Sequence, residues 1–302
     1  MSIFHPRKKT FICVIVMKRI LAIVFLFNPD IEQLLKSIYS YIYSIDNLIV
    51  WNNTPNISTD EVKKIFCEKD FYKKLIFLGK GYNSGLSVAM NDARSYALEN
   101  HYDYLLTMDQ DSIWKNFNKY LAAMDEIEID DPIFIPQINA KNSSNEIEKI
   151  DVPYTSLINS GTLYSIGALL RLGSFDNHLF VEGIDTEIGL RCAIKKISIY
   201  CVKNGIIIQT YSSPKKHRLL GFKFESRNTS ISRIKGIVAS NVYLFYKYPV
   251  YRTQIVKHFN DIYGIHYLIK LLLFENNKIR KIKEYLIGFK YGYEIWTHRD
   301  QR

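Results

Sequence analysis

Asp109 and Asp111 stand one residue apart in Tyr102-Asp-Tyr-Leu-Leu-Thr-Met-Asp-Gln-Asp-Ser-Ile-Trp114, directly behind an apolar run. Two carboxylates at the end of a buried strand offer hard oxygen ligands to a divalent cation. The same letters also suit a polar turn in which Asp111 or Ser112 caps a following helix. A second acidic pair, Asp185 and Glu187 in Asp185-Thr-Glu-Ile-Gly-Leu-Arg191, opens a helical pattern. A carboxylate there could take a proton from an attacking hydroxyl, while Glu187 and Arg191 have the spacing of a structural i,i+4 ion pair. In Tyr82-Asn-Ser-Gly-Leu-Ser-Val-Ala-Met-Asn91, Gly85 opens a helix rich in small residues. Glycine at a positive helix N-terminus allows close backbone approach to a phosphate or a base; with Ala89 and Ala93 it also suits tight packing on a sheet.

These residues need a scaffold, and the text supplies one. From residue 20 short apolar runs alternate with helical patterns: ILAIVFLF, DIEQLLKSIYSYIYS, NLIVW, then STDEVKKIFCEKD with its Ser58-x-x-Glu61 capping box, then KLIFLG. GLSVAMNDARSYALENH and the strand ending at Met108 follow. Four strands separated by helices imply crossover units and a mostly parallel sheet, with ligands bound beyond the carboxyl ends of the strands. Asn28, Asn52 and Asp109 all fall at that edge. Farther on we expect a helix near WKNFNKYLAAMDEI, a strand at IFIPQI, a polar loop at NAKNSSNEIEKIDVP and a small-residue turn at Asn159-Ser160-Gly161.

The chain has 302 residues, of which 47% are hydrophobic and only 8 are proline, so it is globular and long enough for a full core. Cys13, Cys67, Cys192 and Cys201 are widely spaced, form no C-x-x-C pair and read as reduced thiols of a cytoplasmic protein. The apolar runs Ile12–Met17 and Ile20–Phe27 are each too short to span a bilayer, and NPD follows where a signal cleavage site would be expected. We therefore read a core strand there, with residues 1–16 as an N-terminal extension. Charge is uneven: residues 1–194 hold 19 Lys/Arg against 24 Asp/Glu, a balance of −5, and residues 195–302 hold 21 against 6, a balance of +15. In YGIHYLIKLLLFENNKIRKIKEYLIGFKYGY the basic residues are interleaved with large apolar ones at helical spacing. That suits a helix on the anionic face of a membrane as well as it suits a core helix with a solvated basic side.

The ordered set of motifs resembles glycosyltransferase family 2, GT-A-fold enzymes, and most closely its rhamnosyltransferase-like bacterial branch, over roughly residues 20 to 210. The resemblance is carried by Phe27-Asn28-Pro29-Asp30 after the first strand, Trp51-Asn52-Asn53 after the second, Asn83, Gly85, Ala89 and Asn91, the full Asp109-Gln-Asp-Ser112, Ser160-Gly161-Thr-Leu163, and Phe180-Val-Glu-Gly-Ile-Asp185-Thr-Glu187-Ile-Gly-Leu-Arg191. It implies an α/β, Rossmann-like GT-A domain over 17–215, followed by a basic, mainly helical region over 216–302. It also implies inverting transfer from a nucleotide-diphosphate sugar to a saccharide acceptor, lipid-linked and used for surface polysaccharide. Asn28, Pro29, Asn52, Asn83, Gly85, Asn91, Asp109, Ser160 and Gly161 would then line the donor site. Asp109 and Asp111 would hold Mg²⁺ or Mn²⁺, Asp185 would be the base, and Glu187 would orient it or a substrate hydroxyl.

The sequence departs from the branch in three places. Asn52 replaces the usual Asp, no histidine accompanies GIIIQTY, and the Tyr-Tyr-x-x-Arg-Asn signature keeps only Asn241. Among the histidines, His178, His258 and His266 read as packing or surface residues, and His217 as a candidate diphosphate contact. Two other readings rank lower. A haloacid-dehalogenase-like phosphatase would use Asp109 as nucleophile, but would need it on the first strand. A nucleic-acid-binding protein would carry its charge without so many long aliphatic neighbours.

Overall fold

A computed structural model describes residues 18–125, 129–150, 157–209, 215–219, 222–226 and 229–299. The extension 1–16, Cys13 and the side chain of His217 lie outside the described residues. The first half follows the expected alternation: β1 (Ile20–Leu26), α1 (Ile31–Tyr39), β2 (Asn47–Asn52), α2 (Thr59–Phe66), β3 (Leu75–Gly79), α3 (Leu86–Glu99) and β4 (Tyr104–Asp109). The capping box forms as read: Ser58 accepts from the Glu61 N–H and the Glu61 carboxylate accepts from the Ser58 N–H.

Strands β1 to β4 are parallel and ordered β3-β2-β1-β4. Alternate residues of β1 enter different cores. Leu21, Ile23 and Phe25 pack with α3 residues Ala89, Ala93 and Ala97, while Ala22, Val24 and Leu26 pack with Leu34 and Ile38 of α1. A strand covered on both sides loses the polar alternation of a half-exposed one, which is why ILAIVFLF is apolar throughout.

The second half continues with β5 (Ser112–Trp114), α4 (Phe117–Asp125), β6 (Ile133–Ile138), β7 (Ile147–Ile150), β8 (Leu163–Ser165), α5 (Ile166–Leu172), α6 (Ile184–Lys195) and β9 (Ile199–Gln209). β8 joins β4 to β6 by antiparallel pairing, β6 and β9 are parallel, and β5 and β7 pair antiparallel with β9. The polar loop expected at 139–153 thus contains a short strand, β7. A separate hairpin, β10 (Lys215–Leu219) and β11 (Phe222–Ser226), precedes four helices: α7 (Ile231–Lys247), α8 (Arg252–Tyr263), α9 (Ile265–Phe274) and α10 (Lys278–Thr297).

Helix α7 belongs to two cores. Tyr243, Leu244 and Tyr248 complete the core beside α3 and α6, and Ile234 and Val238 form another with Tyr267, Leu271 and Tyr285. Gly288 and Gly292 let α10 lie against α7, since a Cβ at either would fall 2.6 Å from the Cβ of Val238 or 2.4 Å from the carbonyl oxygen of Ala239. The basic helical region is therefore anchored to the sheet through α7.

Candidate active site

The register of the parallel strands brings their ends to one edge: Phe25 lies opposite Asp109, Leu26 opposite Asn52, and Asn52 opposite Gly79. Asp109-Gln-Asp-Ser112 is a tight turn from β4 into β5, so neither Asp111 nor Ser112 caps a helix. The Gln110 side chain accepts from the Phe27 N–H at 2.8 Å and donates to the Phe27 carbonyl at 3.1 Å. From α1, Gln33 donates to the Asp111 carbonyl at 3.3 Å and Ser37 to the Ser112 carbonyl at 2.6 Å. The turn is thus held through the Gln110 side chain by the end of β1 and through its backbone by α1, which fixes where Asp109 and Asp111 stand.

Ser160 and Gly161 close one side. The Ser160 hydroxyl accepts from the Asp109 N–H at 3.0 Å, and the Gly161 N–H donates to the Thr107 carbonyl at 2.7 Å. On the other side Gln209, the last residue of β9, donates to the Asp109 carboxylate at 3.0 Å. The sequence reading missed Gln209, which stands on the strand where the branch usually has a histidine. Its only sequence signal was a polar residue ending an apolar run.

Burial and the charges of Asp111 and Asp185 together push the Asp109 carboxyl up to about 7. Asp111 is raised by burial. Asp185, in the first turn of α6, is also raised by burial, against the Thr186 N–H that donates to it at 2.8 Å. Asp111 and Asp185, from two segments of the chain, thus both act on Asp109, and among the described residues no ion pair offsets them, so the Asp109 carboxylate resists ionising beside its neighbours.

Other expected site residues are engaged elsewhere. Glu187 follows Asp185 by about 200° around the helix and points away from it. It is buried, pairs with Arg191, and accepts from Lys247 at 2.8 Å and from the Tyr248 hydroxyl at 2.5 Å. Both oxygens of Glu187, expected to orient the base or a substrate hydroxyl, already have protein partners, and the residue joins α6 to α7. Arg191 also donates to the Leu172 and Ser174 carbonyls, so the ion-pair reading of Glu187 and Arg191 holds.

Asn52 is fully buried, accepts from the Thr54 N–H at 3.0 Å and donates to the Ile57 carbonyl at 2.7 Å. The amide expected to read a base clamps its own loop. Asn91 exchanges hydrogen bonds with the Phe175 backbone and donates to Asn177, and so fixes the segment leading toward α6. Gly85 has φ +85°, and a Cβ there would lie 2.7 Å from the Phe180 carbonyl, to which the Leu86 N–H donates at 2.7 Å. The Gly85 N–H itself donates to Asn83 at 3.1 Å. At this helix start the Leu86 amide holds the loop that leads into α6, and the close backbone approach that glycine allows is to the Phe180 carbonyl. Asn28 is exposed at the open edge with φ +45°, its N–H on Thr54, and Pro29 follows partly buried.

A divalent cation fits what is present. Asp109 and Asp111 are hard donors, burial and neighbouring acids oppose the charge of Asp109, and the buried Gln209 Oε1 beside it has no hydrogen-bond partner among the described residues. Among the described residues no three His, Cys, Asp or Glu side chains form a complete metal site, so further oxygens would come from a diphosphate and water.

No family model matches the chain. It is 29% identical over 208 residues to the dTDP-rhamnosyl transferase RfbF of Shigella flexneri, covering 61% of this chain and 66% of that relative's length. In structure it resembles S. aureus TarS 1-349, with a TM-score of 0.51, 12% identity, and coverage of 91% of this chain and 80% of the other. It also resembles GalNAc-T7 in its crystal structure with UDP, GalNAc and Mn²⁺, with a TM-score of 0.53, 11% identity, and coverage of 94% and 57%. The chain has the GT-A fold and is similar in sequence to a rhamnosyl transferase, as its motifs led us to expect.

Proposed function

We propose that this chain is an inverting, metal-dependent glycosyltransferase that moves rhamnose or another hexose from a nucleotide-diphosphate donor to a saccharide acceptor. The observation that carries the reading is the meeting of Asp109, Asp111 and Asp185 at the carboxyl edge of a GT-A sheet, with Asp109 raised to about 7 by burial and by the other two. A departing nucleotide diphosphate bears at least two negative charges, and Mg²⁺ or Mn²⁺, when bound, supplies the charge that stabilises it. Asp111 and Asp109 hold that ion, with Gln209 fixing the Asp109 carboxylate. Ser160 and Gly161 shape the wall beside it. Asp185 takes the proton of the acceptor hydroxyl, and burial raises its basicity above that of an ordinary carboxylate, which favours a general base.

The likeness to a dTDP-rhamnosyl transferase makes dTDP-rhamnose the first donor to test, followed by UDP-sugars. The acceptor we propose is a lipid-linked saccharide of surface polysaccharide, met at the inner face of the cell membrane; this rests on the resemblance. A phosphatase built on Asp109 is disfavoured by the fold and by the place of Asp109 on the fourth strand. The test is hydrolysis or transfer from a panel of nucleotide sugars with Mn²⁺, with Mg²⁺ and with chelator. Turnover of one donor that chelation removes supports the proposal. Turnover of phosphate monoesters alone would overturn it.

A further inference from the structure

We propose that α8, α9 and α10 form a face that seats this chain on an anionic lipid bilayer. The proposal deepens the reading of a membrane-borne acceptor, but it stands on residues outside the acidic site. Helix α9 exposes Ile265, Ile269, Leu272 and Leu273, at 65, 47, 49 and 55% of their full area. Their spacing of i, i+4, i+7 and i+8 puts them on one side, while Tyr267 and Leu271 on the other side are buried against α7 and α10. A helix that is apolar on both sides belongs in an interior, yet here one side is left about half exposed among the described residues. On α10, Leu286, Phe289 and Tyr293 repeat the pattern at i, i+3 and i+7, at 63, 43 and 50% exposure.

The two stripes meet in one groove. Ile265 of α9, Phe289 of α10 and Val256 of α8 line an apolar cleft of about 450 Å³, which Val238, Ile255 and Phe259 also line. Contiguous exposed apolar surface of this kind marks an interaction site. The charges around it identify the partner. Between residues 257 and 290 the exposed charged side chains are Lys257, Lys270, Lys278, Arg280, Lys283 and Lys290, against the exposed Asp261 and the half-exposed Glu284. Glu275, which would offset them, is buried on Lys281 at 2.7 Å. Outward Ile, Leu and Phe flanked by long basic side chains suit a bilayer surface, where the apolar groups enter the acyl boundary and the cations reach anionic headgroups. Nucleic acid would use the cations and leave the aliphatic stripes in water. No helix among the described residues is long and apolar enough to cross a membrane, so the contact is a surface one.

The test is co-sedimentation of the full chain with vesicles of phosphatidylcholine alone, and with about a third phosphatidylglycerol. We expect binding to the anionic vesicles only, weakened about tenfold or more by Ile269→Glu with Leu272→Glu, and similarly by Lys270→Gln with Lys278→Gln and Lys283→Gln. Leu286→Glu on α10 is an independent variant of the same face, and circular dichroism checks that each variant folds. Failure to bind anionic vesicles overturns the proposal, as does binding that none of these variants weakens. A dimer in sedimentation that Ile269→Glu dissociates would assign the face to a second copy, and capture by oligonucleotides in preference to vesicles would assign it to nucleic acid; either result overturns the proposal. The assay holds neither donor nor acceptor, so its outcome is separate from that of the transfer assay.

Discussion

Asp185 and Glu187 lie two residues apart on α6, and the acids around each meet opposite surroundings. Asp185 and Asp111 act on Asp109, whose carboxylate takes an amide from Gln209 and, among the described residues, no ion pair; burial and the two charges raise it. Glu187 joins Asp176, and this pair faces Lys247 and Arg191. Burial opposes the ionisation of Asp176 as well, but Lys247 and the Tyr243 hydroxyl prevail and hold its carboxyl far below the usual range. Buried acids that come with their own cations build architecture, here the joint between α6 and α7. Buried acids without cations are poised to take one from outside.

The comparison can be broken experimentally, starting with the largest effect. Asp185→Asn should lower transfer by about a thousandfold, within the range of a lost general base, while donor binding measured by calorimetry stays as it was. Asp111→Ala should abolish transfer too, but with donor and Mn²⁺ binding weakened together. Near-normal turnover of Asp185→Asn would remove that residue from the role of base.

On the paired side, Lys247→Met leaves Glu187 and Asp176 buried with too little positive charge. It should cost about 3 kcal/mol in urea unfolding, a loss that Lys247→Arg should largely restore. Next in size, Gly85→Ala forces a side chain into a left-handed backbone position against the Phe180 carbonyl, and should cost about 2 kcal/mol.

The smallest effect should be the most diagnostic. A carboxyl whose folded pKa lies above its unfolded value favours the fold at low pH, and that advantage is lost as pH rises from about 4 to about 7. Asp109→Asn should therefore raise the melting temperature of the metal-free chain by a few degrees at pH 8, with the gain gone by about pH 4. Added Mn²⁺ should raise the melting temperature of the wild type and do little for the variant. A variant less stable at pH 8 than at pH 4, relative to wild type, would mean that Asp109 has a protein partner and belongs with Glu187.

Much of the scaffold is legible in the text. ILAIVFLF and NLIVW announce strands buried on both sides, KLIFLG announces a partly buried edge strand, and Ser58 with Glu61 announces a cap, because these signals act within a few residues. The short strands β5, β7 and β8 escape such a reading. Three or four residues have no period of their own, and these become strands through β9 and β4, which lie far away in the chain. The site divides the same way. The spacing of Asp109 and Asp111 and the helical start at Asp185 are local facts, whereas Gln209 lies one hundred residues from the acid it holds.

The sequence by itself determined the order of strands and helices through β4, the acid pair at a strand end and the basic, aliphatic character of the last hundred residues, since each is a matter of residue type and near spacing. Tertiary structure alone decided which acids meet, and that Asn52 and Asn91 clamp loops, Glu187 binds α7 and Ile269 remains uncovered. A side chain's partners come from elements distant in sequence, and the same carboxylate or amide is a ligand or a brace according to what the fold sets against it.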